Sequence, residues 1–190
     1  DAVENVGYWH QAHSFVRGNW KNSETTSPMI LQKCCHDMDI LTWLTGKKCQ
    51  RVTSFGSTSY FRPEMAPEGT PKRCTDGCPY QKTCPYDAEK IYLPNREHGV
   101  PVEITEWFDK VLTLEPTEEN IYEQLKTGPY GCCVFHSDNN VVDHQVVNML
   151  MTDGSTIDFT MCGFTHENAR YTRIMGTMGE IVANMESNLI

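Results

Sequence analysis

Residues 32–39 read Gln-Lys-Cys-Cys-His-Asp-Met-Asp and bring an imidazole, an ammonium and carboxylates within two helical turns. On an α-helix Gln32 and Lys33 lie four and three residues before His36, so the three side chains would share one face. An imidazole titrates near neutral pH, and its pKa falls beside an ammonium and rises beside a carboxylate. The spacing predicts His36 as a proton-transfer residue with Lys33 as its neighbour. The competing interpretation is an ordinary solvated helix face.

A helix from Ser27-Pro28 to Gly46 would position these side chains. Serine caps free amides, proline needs no amide partner at the first helical position, and glycine ends helices. Residues at intervals of three and four predict a core-facing stripe of Leu31, Cys34, Met38, Leu41 and Thr45. We interpret one or both of Cys34 and Cys35 as buried packing residues rather than nucleophiles, because nothing in the sequence indicates a lowered thiol pKa.

Three segments of the chain resemble one known protein family. They are ENVGYWHQAHSFVRGNW at 4–20, SPMILQKCCHDMDILTWLTG at 27–46 and RIMGTMGEI at 173–181. Together they resemble the C-terminal domain of the Gfo/Idh/MocA oxidoreductases. The resemblance implies an NAD(P)-dependent enzyme that acts on a sugar, polyol or related hydroxy compound, with His36 as the catalytic histidine. It also implies that NAD or NADP is bound mainly by an N-terminal Rossmann domain, which is absent from residues 1–190, so we expect this fragment alone to be inactive.

The chain departs from the family pattern at one position that bears on the chemistry. Many members carry an aspartate four residues before the histidine, and the matching residue here is Gln32, which is not a base. We therefore predict Gln32 as a substrate-binding residue and Lys33 as a group that orients the substrate or adjusts His36. Two alternatives stay open, which are NAD-dependent glycoside cleavage on the same scaffold and a non-catalytic metal-binding or dimerisation module.

Aromatic and basic residues follow the first predicted strand. Rings and hydrogen-bond donors together suit a sugar ring, and this mixture consists of Tyr8, Trp9, His10, His13, Phe15, Arg17 and Trp20. We predict His13, Arg17, Trp20 and, from the turn at 163–168, His166 as substrate-binding residues. The alternative is that the aromatic rings close the core. Arg170 and Arg173 are predicted to share one sheet face and to recognise a carboxylate or phosphate, or else to be exposed.

Nine cysteines and no sign of secretion indicate mainly reduced thiols. Three of them, Cys74, Cys78 and Cys84, lie in RCTDGCPYQKTCPYDA, where glycine and two prolines could turn thiolates toward zinc or an iron–sulfur cluster. A tetrahedral site needs a fourth ligand, and the candidates are Cys49, Cys132, Cys133, His98 and His136. The alternative is a loop packed by small buried thiols.

The strand and turn patterns predict an α+β fold with an open, mostly antiparallel β-sheet and helices packed on one face. Strands are predicted at 3–10, 51–61, 132–135, 141–151, 156–162, 169–176 and 180–185, with short helices at 87–93 and 118–126. Glycine-containing turns at 152–155 and 176–179 predict hairpins. We expect a single C-terminal α/β domain over 1–190 with a Cys/Pro-rich insertion at about 62–126. The resemblance implies a homo-oligomer formed through the free sheet face.

Charge and hydropathy exclude several classes of protein. A formal charge of -9 argues against a nucleic-acid binder, which needs a basic surface. No apolar stretch approaches the roughly 20 residues that cross a bilayer, and the first residues lack the order of a secretory signal, so we expect no membrane association and a cytoplasmic location. No G-x-G-x-x-G segment is present, so dinucleotide binding must come mainly from elsewhere.

Overall fold

A computed structural model describes residues 1–93 and 102–190, with backbone only for residues 102–106. The chain forms two compact units. The first comprises residues 1–8, 23–59 and 141–190, and the second comprises residues 9–22 and 60–140. The insertion predicted at about 62–126 lies within the second unit.

The described residues contain six strands and six α-helices. The strands are β1 (Ala2–Gly7), β2 (Cys49–Ser57), β3 (His144–Met151), β4 (Thr156–Thr165), β5 (Ala169–Gly176) and β6 (Gly179–Asn184). The helices are α1 (Tyr8–His10), α2 (Met29–Gln32), α3 (Cys35–Thr45), α4 (Ala88–Tyr92), α5 (Val102–Leu112) and α6 (Glu118–Thr127). None of them, in the part of the chain described, has the length and apolar composition needed to cross a membrane.

All six strands form one sheet in the first unit. Their order is β2-β3-β4-β1-β5-β6, and every neighbouring pair is antiparallel except β1 with β4. Both predicted hairpins form, with Gly154 in the left-handed region at φ 87° and Gly176 paired with Gly179. The predicted open, mostly antiparallel sheet is confirmed.

Alternating burial gives this sheet a covered face and an open face. Along β1, Ala2, Glu4 and Val6 are buried, whereas Val3 and Asn5 between them are partly exposed. The α3 helix packs on the covered face, where Asp37 contacts Arg170 of β5. The prediction of helices on one face is confirmed.

The helix predicted over 27–46 is broken into α2 and α3, with Lys33 and Cys34 in a turn between them. Gly46 ends α3 as predicted, with φ 61° and its amide donating to the Thr42 carbonyl. The α2 helix starts after Pro28 without a side-chain cap. The predicted stripe is correct for Cys34, which is buried, and wrong for Leu31, which is 60% exposed. The break rotates Leu31 out of line with α3.

The second unit is helical and irregular. The α1 helix continues into a π-helix, Gln11–Arg17, in which every residue is buried. The strand predicted at 3–10 is therefore wrong over its last three residues. A short run of buried aromatic residues is compatible with a helix as well as with a strand, so the sequence pattern does not distinguish them. Residues 132–135 form a loop with one isolated bridge, Arg73 with Cys132, rather than a strand. Sequence patterns correctly predicted α4 and α6 and missed α5.

Candidate functional site

Four charged side chains meet on the covered face of the first unit's sheet. Glu4 of β1 lies between two cations, with Oε1 2.9 Å from Lys33 Nζ and Oε2 2.7 Å from Arg170 Nε. The same Nε donates to Asp37 Oδ1 at 3.0 Å. The two buried carboxylates, Glu4 and Asp37, balance the two cations in charge, so each compensates for the loss of water around the others. Arg170 Nη1 also contacts the exposed Glu186 Oε1 at 3.4 Å. We call Glu4, Lys33, Asp37 and Arg170 the charge cluster.

Strand register and the helix break together assemble the charge cluster. Glu4 lies directly opposite Arg170 in the antiparallel pairing of β1 with β5, so the two side chains share a face. The turn at Lys33 and Cys34 lets the Lys33 ammonium reach Glu4, and the first turn of α3 supplies Asp37. The cluster therefore joins β1, β5 and the start of α3.

Burial dominates the electrostatics of the cluster. Glu4 is 1% exposed, and burial raises its pKa above the ordinary value even though Lys33 and Arg170 act in the opposite direction. Nε of Arg170 carries one proton and donates it to Asp37 Oδ1, so Glu4 Oε2 has an ion pair with this nitrogen but no hydrogen bond. The second oxygen of Asp37, Oδ2, is also buried without a hydrogen bond. Burial, Asp37 and Glu4 also raise the pKa of Cys34, which agrees with its interpretation as a packing residue.

His36 lies in the first turn of α3, next in sequence to the buried Asp37, and is exposed. The predicted alignment of Gln32, Lys33 and His36 on one helix face is wrong, because the chain leaves the helix between Gln32 and Cys35. The Lys33 ammonium is paired with Glu4, and the Lys33 side chain is 16% exposed. Gln32 is partly exposed and accepts from Thr26 Oγ1 at 3.5 Å.

His13 and Arg17, both predicted to bind substrate, lie in the second unit and are buried, so neither side chain is accessible to a substrate in this structure. His13 is 2% exposed and stacks on Phe108 with ring centroids 3.7 Å apart. Its Nδ1 lies 2.8 Å from the Tyr92 hydroxyl, and burial lowers the pKa of His13 to about 3. Arg17 is 1% exposed and donates to the carbonyls of Cys132 and Tyr86.

The other predicted binding residues are accessible. Trp20, in the second unit, is 50% exposed, and His166, in the first, is exposed with its ring 6.5 Å from that of Tyr8. Both stay predictions. Arg170 and Arg173 do not share a sheet face, because an odd spacing along a strand points side chains in opposite directions. Arg173 instead pairs with Glu180 on the open face.

The three predicted metal ligands, Cys74, Cys78 and Cys84, line one cavity of the second unit. Over residues 1–93 and 102–190, no three or more His, Cys, Asp or Glu side chains are arranged so that they could hold a metal ion. His98, a candidate fourth ligand, lies outside the described residues. The cysteines are free thiols in this structure.

Comparison with known proteins agrees with the fold. Residues 2–189 match the family model described as the oxidoreductase family, C-terminal alpha/beta domain. The chain belongs to the Gfo/Idh/MocA oxidoreductase family. The match spans nearly the whole sequence, and it confirms the family predicted from the three segments. No curated protein and no solved structure matches the chain.

Within this oxidoreductase-family domain, sequence reasoning missed Glu4 and Asp37 as members of one cluster with Lys33. One signal was available for Glu4, since it occupies a core-facing position between Ala2 and Val6 on an alternating strand. A carboxylate at such a position requires a cation. Nothing in the local sequence identified Lys33 and Arg170 as those cations, because both come from other elements.

Proposed function

We propose that this chain is the substrate-binding and oligomerisation domain of an NAD(P)-dependent oxidoreductase that acts on a sugar, polyol or related hydroxy compound. One observation carries the proposal, which is an exposed imidazole, His36, in the turn of α3 that the buried charge cluster anchors. The family match supports the coarser statement that the full-length members are oxidoreductases.

The proposed role of His36 is proton transfer. Oxidation of a hydroxyl carbon removes a hydride and the hydroxyl proton, and the nicotinamide, when bound, accepts the hydride. The imidazole of His36 takes the proton and releases it to solvent, which its exposure allows. The partly exposed amide of Gln32 and the ammonium of Lys33 are proposed to orient the substrate hydroxyl. Glu4, which contacts Lys33, is a positioning residue.

The charge cluster supports this role by fixing where α3 begins. An ion pair from Asp37 to Arg170 sits one residue after His36, and Arg170 is held in turn by Glu4. Side chains locked by packing and ion pairs keep a neighbouring reactive group in one geometry, which reduces reorganisation during the reaction. The cluster also makes Lys33 a rigid rather than a mobile donor.

The test is NAD(P)H formation by the complete protein that contains this chain, measured across a panel of sugars and polyols. We expect His36→Ala to lower kcat about 100- to 10,000-fold and to change KM little, since loss of a general base has effects of this order. Cys35→Ala, at a neighbour in the same turn that is also exposed, is the matched control and should keep full activity. Equal turnover of His36→Ala and the unmodified protein would refute the proposal.

Product analysis in the same assay separates the main alternative. If sugar is released from a glycoside and no net NADH forms, the reaction is glycoside cleavage and not hydroxyl oxidation. NAD or NADP is proposed to bind mainly through a domain outside these 190 residues, because the sequence offers no glycine-rich phosphate cradle. Calorimetric titration with NAD+ should therefore show much weaker binding to this chain than to the complete protein.

We further propose that a second copy of this chain covers the open face of the sheet. One row of paired residues crosses all six strands on this face, and it consists of Phe55, Val146, Thr160, Val3, Tyr171 and Asn184. The row itself carries no charged side chain although the chain has a net charge of -9, and Arg173 and Glu180 elsewhere on this face pair with each other, which limits like-charge repulsion between two copies. Phe55 is 74% exposed, and Val182 on the same face is 60% exposed.

Light scattering coupled to size-exclusion chromatography tests this interface with two matched variants. Phe55 and Trp43 are both 74% exposed, but Trp43 lies on α3 and not on the open face. Phe55→Asp occurs twice in a symmetric dimer. Losing about 1.5–3 kcal/mol of burial free energy from the Phe55 side chain in each copy should weaken association at least about 100-fold. Trp43→Asp should leave association unchanged. Equal masses for all three proteins would refute pairing through this face.

A further inference from the structure

A serine, a histidine and an aspartate follow one another in space in the first unit, where β2 ends and β3 begins. The Ser57 hydroxyl oxygen lies 3.5 Å from Nε2 of His144, and Nδ1 of His144 lies 2.7 Å from Oδ1 of Asp143. Ser57 and His144 are paired across β2 and β3, so their side chains project from the same face of the sheet. A hydroxyl, an imidazole and a carboxylate in this order are the groups that turn a serine into a nucleophile.

Hydrogen bonds fix the carboxylate of this set. Asp143 is 0% exposed, and its Oδ2 accepts from the Ser59 amide at 2.8 Å while its Oδ1 accepts from the Ser59 hydroxyl at 3.1 Å. The Asp143 amide donates to the Ser57 carbonyl at 3.0 Å, and the Asp143 carbonyl accepts from the Gly163 amide at 2.8 Å. The main chain therefore sets the position of Asp143 relative to Ser57.

The carboxylate also determines which nitrogen of His144 can accept a proton. An ionised carboxylate only accepts hydrogen bonds, so in the neutral imidazole the nitrogen that faces Asp143, Nδ1, carries the hydrogen. Nε2 then bears the lone pair, and Nε2 is the nitrogen that faces the Ser57 hydroxyl. The distance of 3.5 Å is long for a hydrogen bond, as is common for a nucleophile and its base before a substrate binds. His144 is therefore oriented to take a proton from Ser57.

The two groups that would react are open to solvent, unlike the carboxylate. Ser57 is exposed, and the side chain of His144 is 45% exposed. The two hydrogen bonds from Ser59 already tie the chain after β2 to Asp143, so this connection does not need His144. An exposed hydrogen bond adds little stability, because water replaces either partner. Loop closure therefore explains the buried acid but not the exposed pair.

We propose that Ser57, His144 and Asp143 form a second reactive site, at which Ser57 takes the acyl group of a small activated carboxylic ester and the acyl-serine is then hydrolysed. The Ser57 oxygen bonds to the ester carbonyl carbon, His144 Nε2 takes the hydroxyl proton and gives it to the leaving alcohol, and the bond from that carbon to the alcohol oxygen breaks. Water then attacks the acyl-serine with His144 as base, which releases the carboxylic acid and restores the Ser57 hydroxyl. Ester and water give acid and alcohol, and no electron is transferred.

This site does not depend on the proposed dehydrogenase function. The charge cluster lies on the covered face of the sheet and contributes no residue to it. Ser57 and His144 are the next pair but one along β2 and β3 from Phe55 and Val146, on the open face. Asp143 acts through His144 and does not touch the ester, so it is a positioning residue.

The experiment measures how fast a fluorophosphonate labels Ser57 in the 190-residue chain. The serine oxygen bonds to phosphorus, fluoride leaves, and peptide mass spectrometry locates the adduct. We expect labelling of Ser57 to be at least about 100-fold slower in His144→Gln, since loss of a general base has effects of this order. Ser54→Ala is the matched control and should label at the unmodified rate, because Ser54 is also exposed on β2 but donates its hydroxyl to the Val146 carbonyl. An equal rate in His144→Gln, or adducts spread over exposed serines without preference for Ser57, would overturn the proposal.

Phe55→Asp distinguishes an unreactive serine from one that a second copy covers. Phe55 lies two residues from Ser57 on the same face, so a copy paired through the open face would restrict access to Ser57. Labelling that appears only in Phe55→Asp would support the reactive site, whereas no adduct in either protein would overturn it. Release of nitrophenol from para-nitrophenyl acetate should follow the labelling rates among the variants. Acetyl-Ser57 that forms and is never hydrolysed would overturn the second step.

The tautomer of His144 tests the role of Asp143 even if Asp143→Asn does not fold. Long-range proton–nitrogen correlation spectra at alkaline pH, where imidazoles are neutral, should show hydrogen on Nδ1 of His144, and the spectrum of His144→Gln identifies its signals. In a folded Asp143→Asn this tautomer should be lost, and labelling of Ser57 should slow in parallel. Hydrogen on Nε2 of His144 in the unmodified chain would overturn the positioning role.

Discussion

Acid should destabilise the second unit through one buried histidine, His13. Its ring stacks on Phe108 at 3.7 Å and on Tyr130 at 4.9 Å, and Nδ1 is bonded to the buried Tyr92 hydroxyl. Burial and the neighbouring His10 and Arg17 charges lower the pKa of His13 to about 3, against 6.5 for an unperturbed histidine. The unfolded chain therefore binds this proton more readily than the folded chain does.

The sign and size of the effect follow from these two pKa values. A histidine with a lowered folded-state pKa contributes its full stability above pH 6.5 and loses it as the pH falls toward 3. Each pH unit in that window is worth about 1.36 kcal/mol. Between about pH 7 and about pH 5, His13 should lower the free energy of unfolding by about 2 kcal/mol.

Urea denaturation at the two pH values, followed by circular dichroism, measures this contribution. His13→Phe keeps the ring stack and removes the titration, although it also removes the hydrogen bond to the Tyr92 hydroxyl at both pH values and so costs about 0.5–1.5 kcal/mol throughout. The acid-induced loss should be about 2 kcal/mol smaller in His13→Phe than in the unmodified chain. His36→Ala, at an exposed histidine, should retain the unmodified dependence. An unchanged pH dependence in His13→Phe would contradict the assignment of His13 as a buried neutral base.

Other substitutions test the charge cluster and a close backbone contact in the second unit. Arg170→Met leaves Glu4 and Asp37 buried without their shared cation and should cost about 3–5 kcal/mol of unfolding free energy, measured by urea titration, whereas Arg173→Met on the open face should cost less than about 1 kcal/mol. Because burial raises the pKa of Glu4, this residue makes the unfolding free energy fall as the pH rises above 4.5, and Glu4→Gln should remove that slope in the same titration at several pH values. Gly131→Ala should abolish a cooperative unfolding transition of the second unit, since a Cβ there would lie 1.7 Å from the Leu125 carbonyl oxygen, whereas Gly176→Ala meets only an ordinary contact of 3.6 Å and should be tolerated.

Local patterns sufficed for the sheet and for the family. Alternating residues and glycine turns predicted β5 with its exact bounds and β6 within one residue, because hairpins depend on neighbours in sequence. The helix stop at Gly46 and the α4 and α6 helices follow from equally local chemistry, with Asp87 and Thr117 accepting amides at the two helix starts. The grouping of cysteines in one loop was also visible in the sequence.

Only the tertiary structure decided which side chains meet. Periodicity shows that a residue faces the core but not which partner it finds, so the pairing of Glu4 with Lys33 and Arg170 depended on three separate elements. The helix break after Gln32 places Gln32 and His36 in different helices. Helix propensity does not predict this break, because the segment contains neither glycine nor proline. Histidine is a residue type suited to substrate binding, and only the surrounding aromatic rings show that His13 belongs to the core. The position of Cys133 beside the cysteine loop likewise depends on backbone hydrogen bonds between distant segments, which a linear pattern does not record.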